Sequence, residues 1–125
     1  MSFLPLKITG QCVADDETLF AQMDAAIARG FKQIRQAELP KTGSIVLVAS
    51  GPSLKDQTEL IGKMQKAGCP VVAIKGAHDY LISKGVIPDY ALAIDPQEHR
   101  IAFHKPHKAV KYMLASQCHS ALFDN

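Results

Sequence analysis

The residues best suited to chemistry lie in four short polar clusters, each of which directly follows an apolar run. The first cluster is Ser50-Gly51-Pro52-Ser53, which follows the run 45–49 and leads into a helical pattern. Gly51 permits a positive φ or the close approach of a ligand. A strand that breaks here and restarts as a helix presents backbone N–H groups to a phosphate. The alternative is a helix cap without a ligand, in which Ser53 caps the helix and Asp56 completes a capping box.

The second cluster is Lys75-Gly76, which ends the apolar run 71–74. A lysine ammonium group or an open glycine backbone at this position can face a phosphate or a sugar. The alternative is a solvated lysine beside a turn glycine. The residues alone leave both interpretations open.

The third cluster begins at Asp95, which ends the apolar run 90–94 and is followed by Pro96 and Gln97. A carboxylate at the end of a strand can hold Mg²⁺ on the phosphates of a nucleotide, or accept a hydrogen bond from a ribose hydroxyl. The alternative is that Asp95 is the N-cap of a following helix.

The fourth cluster follows the run 109–114 and offers hydrogen-bond donors and acceptors on Ser116, Gln117 and His119. Cys118 lies beside His119, which would suggest a nucleophile and its base. Neighbours in sequence rarely reach that geometry, and the sequence shows no acidic residue that would orient the histidine. We therefore expect this cluster to line a binding site.

These clusters must be positioned by a sheet, because the apolar runs alternate with helical patterns. Strands are predicted at 45–49, 71–74, 90–94 and 109–114, and helices at 54–67, 77–84 and 96–104. This alternation predicts an α/β fold with a doubly wound, mostly parallel sheet of about four strands, in which Lys111 favours an edge position for the last strand. The carboxyl ends of parallel strands share one edge, so all four clusters are expected to face one crevice.

The beginning of the chain has a different pattern. Apolar residues at helical spacing follow Asp15 and Asp16 and predict a helix of about 20 residues, with Gly30 near its end. We predict an N-terminal helical segment at 1–40 and a sheet-containing domain at 41–125. The sequence stops where another crossover helix begins, so this domain is predicted to be incomplete.

Composition excludes several classes of function. The 125 residues are 47% hydrophobic and 21% charged, with a net charge of +2. That charge is too small to indicate binding to nucleic acid or to an acidic membrane surface. The three cysteines show no metal-binding spacing, and no stretch reaches the roughly 18 apolar residues that span a bilayer. A cytoplasmic protein is predicted.

Together the motifs resemble a known family. The stretches 45–54, 72–74, 85–97 and 114–119 occur in the same order in 6-hydroxymethylpterin diphosphokinase MptE-like proteins, and the resemblance covers about residues 16–125. It implies a Rossmann-like sheet related to that of thiamine pyrophosphokinases. It also implies a kinase-type transferase that uses ATP and Mg²⁺ to transfer diphosphate to the hydroxymethyl group of a reduced pterin.

The resemblance also implies roles for individual residues. Gly51, Pro52 and Ser53 would line the nucleotide loop, and Asp95 would be the metal ligand or the contact to the substrate. The facing wall would be formed by Gln97, Ser116, Gln117 and His119. The sequence departs from the family at Lys75-Gly76, where many members have a second small residue or asparagine.

Two other functions remain open. A similar loop occurs in certain bacterial sialyltransferases, and related domains occur in flagellin-modifying glycosyltransferases, so the partner would then be a nucleotide sugar. Phage proteins also carry related domains, which favours a non-catalytic nucleotide-binding or interaction module. In that case an open sheet edge would associate with another chain, for example as a homo-oligomer.

Overall fold

The computed structural model describes residues 14–35, 43–97 and 103–124. Its centre is a four-stranded sheet in which all neighbouring strands are parallel and lie in the order β1-β2-β3-β4. The strands are β1 (Val46–Val48), β2 (Val71–Ile74), β3 (Tyr90–Ala93) and β4 (Lys111–Leu114). The helices are α1 (Asp16–Ala28), α2 (Leu54–Lys66) and α3 (Ala77–Ser83), and a short 3₁₀-helix spans Ser120–Leu122. The predicted α/β class, with a parallel sheet and a preceding helix, is confirmed.

Two predicted elements differ from the structure. Helix α1 has 13 residues, fewer than expected, because Gly30 adopts a left-handed φ of 68° and ends the helical path. The predicted helix at 96–104 falls largely on residues 98–102, which lie outside the described residues, and the residues on either side of that gap are not helical.

Helices α2 and α3 pack on the same face of the sheet. A cluster of buried side chains joins Leu54 and Ile61 of α2 with Ala77 and Leu81 of α3. The inward-facing residues of β1 and β2 complete that cluster. A sequential strand order explains this placement, because right-handed crossovers that step in one direction leave their helices on one side. On the opposite face Leu47 is 61% exposed.

A second cluster of buried side chains covers β3 and β4. It contains Ala91, Ala93, Phe103, Val110, Cys118 and Leu122. Residues 103 and 110 lie in the connection from β3 to β4, and residues 118 and 122 follow β4. The segments before and after β4 therefore cover β3 and β4 on the face of the sheet where α2 and α3 cover β1 and β2.

Asp89 joins the beginnings of three strands. Its carboxylate accepts hydrogen bonds from the Val71 N–H at 2.8 Å and from the Gln65 amide at 3.0 Å. Its backbone N–H donates to the Val71 carbonyl, and its carbonyl accepts from the Lys111 N–H. These bonds fix the register in which β2, β3 and β4 bring their carboxyl ends to the same edge.

Helix α1 lies against the end of the sheet unit, although none of its residues is buried. The Gln22 amide donates to the Pro96 carbonyl, and Arg29 forms an ion pair with Asp124. The Phe31 ring stacks on Phe123 with 6.0 Å between centroids. In the described part of the chain, no helix has the length and apolarity that crossing a membrane requires.

Candidate functional site

The turn after β1 does not form the helix cap that was the alternative to a ligand loop. Ser53 precedes α2, but its side chain makes no capping hydrogen bond, so the alternative of a capping box is wrong. The first turn of α2 is instead held by backbone bonds, with the Asp56 N–H donating to the Ser53 carbonyl. The Thr58 hydroxyl donates to the Leu54 carbonyl at 2.8 Å. Ser53 is exposed, so its hydroxyl is open to solvent.

Neither the backbone conformation nor crowding inside the protein requires a glycine at position 51. Its φ lies outside the left-handed region, so the option of a positive φ is not realised. A Cβ added there would meet only the Ser53 Oγ at 3.9 Å, an ordinary contact. Space above Gly51 is therefore open, and the predicted role of this glycine in the approach of a ligand stays a prediction.

Gly76 lies where the ends of β1 and β2 come close together. A Cβ added at Gly76 would lie 3.1 Å from the Ser50 Oγ, a tight approach. The residues around this contact line an open cavity of about 260 Å³, formed by Ser50, Gly51, Leu54, Lys55, Gly76 and Tyr80. The structure therefore brings three of the predicted site residues into one cavity. Pro52 and Ser53 belong to the same turn but are not among its lining residues.

Lys75 and Asp95 form the second part of the site. The Lys75 Nζ lies 2.9 Å from the Asp95 Oδ2, and the side chain of Asp95 is only 12% exposed. The other carboxylate oxygen accepts from the Gln97 N–H at 3.1 Å. Asp95 therefore closes a backbone turn into Gln97 and at the same time pairs with a cation from the neighbouring strand.

Lys75 holds this position in a strained backbone conformation. Its φ is 52°, and it is the one non-glycine residue with a positive φ among those described. A left-handed conformation costs an L-residue with a side chain about 1–2 kcal/mol. Such strain persists where the surrounding structure enforces it, and it is concentrated at functional sites.

The fourth cluster lies beside this pair. The Gln117 amide donates to the Ile94 carbonyl at 3.0 Å, next to Asp95, and Ser116 is exposed in the same turn. His119, predicted for the same wall, accepts the Ala121 N–H at its Nδ1 and so caps the 3₁₀-helix. Gln117 and Ser116 therefore remain available to a wall of the site, while His119 has a structural role in this arrangement.

Cys118 is not an activated nucleophile. Its side chain is fully buried, and its Sγ donates to the Ala93 carbonyl at 3.3 Å. Burial raises the pKa of the thiol, and the nearby Asp95 charge also raises it, while the Ala115 N–H and Lys75 oppose these effects. The thiol therefore stays protonated, and a Cys118–His119 dyad does not form.

Sequence reasoning missed a buried polar network behind α3. His78 is fully buried; its Nδ1 lies 2.7 Å from the Asp79 Oδ1 and its Nε2 lies 2.8 Å from the Tyr112 hydroxyl. That hydroxyl also accepts from the His107 N–H.

The network holds the connection between β3 and β4 against α3. The second oxygen of Asp79 accepts from the His104 N–H at 3.0 Å. The Phe103 ring packs against both His78 and Tyr112, at centroid distances of 4.7 and 5.0 Å. These contacts fix the beginning of α3, and therefore Gly76 and Lys75 directly before it.

Because Asp79 takes part as a charged carboxylate, the stability that this network contributes depends on pH in the acid range. Burial raises its pKa, but the hydrogen bonds from His104 and His78 lower it, and the result lies below the ordinary value of 3.8. A carboxyl group with a lower pKa in the folded state stabilises the fold above its unfolded pKa, and this contribution disappears as the pH falls through the folded pKa. We therefore expect the melting temperature to fall below about pH 4.

Asp79→Asn should show a shallower loss of melting temperature than the wild type between about pH 5 and pH 2. The control is Asp24→Asn, which changes an exposed carboxylate on α1 and should leave the acid limb as in the wild type. Equal acid limbs for Asp79→Asn and the wild type would show that this carboxylate carries none of the pH dependence.

The donor set at Asp95 suits one particular kind of metal site. No group of three or more His, Cys, Asp or Glu side chains within the described ranges could hold a metal ion. Mg²⁺, however, is commonly held by one or two carboxylates together with substrate phosphates. Asp95 fits this arrangement as a single carboxylate, because Lys75 beside it can neutralise a phosphate that shares the ion.

Comparison with known proteins identifies one family. The model of one protein family, described as 6-hydroxymethylpterin diphosphokinase MptE-like, matches residues 18–125. Searches of curated proteins and of solved structures gave no match. The family match includes most of α1, all four strands and every residue of the candidate site. The chain therefore belongs to the 6-hydroxymethylpterin diphosphokinase MptE-like family.

Proposed function

We propose that this chain is a nucleotide-binding transferase that moves diphosphate from ATP to a hydroxymethyl group. The observation that carries the proposal is the Lys75–Asp95 pair, 2.9 Å apart and adjacent to the Ser50–Gly76 cavity. The pair presents a cation and a carboxylate side by side, which are the groups needed by a phosphate and by its metal ion. Family membership supports the reaction class.

Each part of the site has a distinct task in this proposal. The open backbone at Gly51 and the hydroxyls of Ser50 and Ser53 receive the phosphates. The Lys75 ammonium group leaves its carboxylate partner and contacts a phosphate oxygen, where a charge-assisted hydrogen bond is strong. Asp95 then becomes available as a ligand. Mg²⁺, when bound there, neutralises the charge that develops on the phosphates.

The reaction itself asks little covalent chemistry of the protein. The oxygen of the acceptor hydroxyl attacks the β-phosphorus of ATP, and the bond from that phosphorus to the oxygen bridging the α- and β-phosphates breaks. AMP leaves with that oxygen, the hydroxyl proton is released, and the acceptor gains a diphosphate. Rate acceleration comes from alignment and charge neutralisation. Gln97, Ser116 and Gln117 would form the wall that orients the acceptor.

The test combines binding with turnover. ATP with Mg²⁺ at millimolar concentration should raise the melting temperature, whereas CMP- and UDP-sugars should not. Incubation with ATP, Mg²⁺ and a reduced 6-hydroxymethylpterin should form AMP and a pterin diphosphate in equal amounts, as measured by mass spectrometry. A shift with a nucleotide sugar alone would favour a glycosyltransferase, and ATP binding without AMP would indicate a non-catalytic module. Either result would contradict the proposal.

A further inference from the structure

We propose that the cavity between α2 and α3 holds the base of the bound nucleotide and that Tyr80 is its stacking surface. This inference rests on the proposed function and deepens it, because it assigns a residue to the part of ATP that does not react. The cavity measures about 260 Å³ and lies between the turn after β1 and the first turns of α3.

The lining of the cavity has two chemical parts. Hydroxyl, backbone and ammonium groups come from Ser50, Gly51, Gly76 and Lys55, while Leu54 and Tyr80 contribute apolar surface. A nucleotide has the same division, with charged phosphates joined through a sugar to a flat, weakly polar base. Since the polar part of the lining adjoins Lys75, the phosphates belong at that end and the base belongs against Tyr80.

Tyr80 is held in position as a rigid platform. Its ring packs against the core cluster formed by α2, α3 and the first two strands. Its backbone N–H donates to the Gly76 carbonyl, and its own carbonyl accepts from the Ser83 hydroxyl at 2.6 Å. The Lys84 Nζ lies over the ring, 5.7 Å from its centroid, so a base that stacks on this face takes the place of the exposed ammonium group. A half-buried ring fixed in this way loses little freedom when a base stacks on it.

Stacking of a base on an aromatic side chain has a measurable size. Replacement of the aromatic residue weakens binding of each stacked base by about tenfold to a hundredfold. Stacking acts on the base alone, so the effect must be absent for a ligand that has phosphates and no base. Tripolyphosphate is that ligand, and a comparison with ATP separates the base from the phosphates.

The chain provides a matched control. Tyr90 is also half-buried and also has a lysine near its ring, with the Lys111 Nζ 5.8 Å from the centroid. Tyr90 lies at the beginning of β3, away from the carboxyl ends of the strands, and does not line the cavity. Tyr90→Leu therefore reproduces the chemical change of Tyr80→Leu at a position without a ligand role.

The experiment is isothermal titration of the full chain with Mg·ATP and with Mg·tripolyphosphate. Tyr80→Leu should weaken ATP binding about tenfold or more and leave tripolyphosphate binding within about twofold of wild type. Tyr80→Phe, which keeps the ring, and Tyr90→Leu should both retain wild-type ATP affinity. An equal loss for both ligands, or no loss for ATP, would overturn the inference while leaving the proposed function standing.

A second measurement does not depend on the folding of a variant. In the wild-type protein, the ring protons of Tyr80 should shift on addition of Mg·ATP in NMR spectra and stay in place with tripolyphosphate. Equal shifts with the two ligands would contradict stacking. If the wild type binds neither ATP nor tripolyphosphate, the proposed function itself fails, which is a different result from a failure at Tyr80.

Discussion

Asp95→Asn is expected to remove the Mg²⁺ dependence of ATP binding while the protein remains folded. The substitution keeps the size of the side chain and an oxygen that can accept from the Gln97 N–H. It removes the charge that pairs with Lys75 and that would hold the metal ion. ATP affinity in Mg²⁺ should fall at least about tenfold, which corresponds to about 1.4 kcal/mol, and diphosphate transfer should be lost.

The measurement is ATP titration with Mg²⁺ and with EDTA, for the wild type and the variant. In the wild type the two conditions should differ, and in Asp95→Asn they should coincide. The control is Glu59→Gln, which breaks an exposed i,i+4 pair with Lys63 on α2 and should change neither curve, since exposed pairs contribute little. Persistence of the Mg²⁺ effect in Asp95→Asn would show that another group holds the ion.

His78→Ala is expected to cause a large loss of stability. The ring is fully buried and has hydrogen-bond partners on both nitrogens. Its removal leaves a cavity beside Phe103, and the Tyr112 hydroxyl loses one of its hydrogen-bond partners. Loss of a buried ring of this size, together with an unsatisfied polar group, costs about 3–5 kcal/mol.

Urea unfolding of the variant measures this cost. His104→Ala is the control, because His104 is exposed and contributes only its backbone N–H to Asp79. That variant should stay within about 0.5 kcal/mol of the wild type. A loss below about 1 kcal/mol in His78→Ala would mean that the surrounding side chains close over the gap, contrary to the usual cost of large-to-small core substitutions.

The sheet and its polar edge could be predicted because their signals are local. Apolar runs, each followed by a polar cluster, placed β2 at its true bounds and the other strands within about two residues of theirs. The same pattern placed Lys75 and Asp95 at the ends of neighbouring strands, although only the structure shows that their side chains meet. The site roles of these residues stay predictions.

The buried network could not be predicted because its signal is divided between distant residues. In β4 the exposed Lys111 implies that Tyr112 points inward, and an inward tyrosine hydroxyl requires a partner. Nothing in the sequence identifies His78 as that partner, since the two residues meet only after α3 packs against the sheet. The alternative of a capping box at Ser53 was wrong even though its signal is local. Its local pattern was present, but backbone bonds closed the first turn of α2 without it.

The strand order has a consequence for how the chain folds. Each strand pairs with the next strand along the sequence, so no pairing in the described sheet waits for a distant segment. Loop closure is therefore inexpensive for a parallel sheet, and low contact order favours fast folding. On the ribosome, β2 can join β1 before β3 has been synthesised, and the sheet can grow one strand at a time from the amino-terminal side. The carboxyl edge of the sheet, which carries the candidate site, would then be assembled in the order in which it is translated.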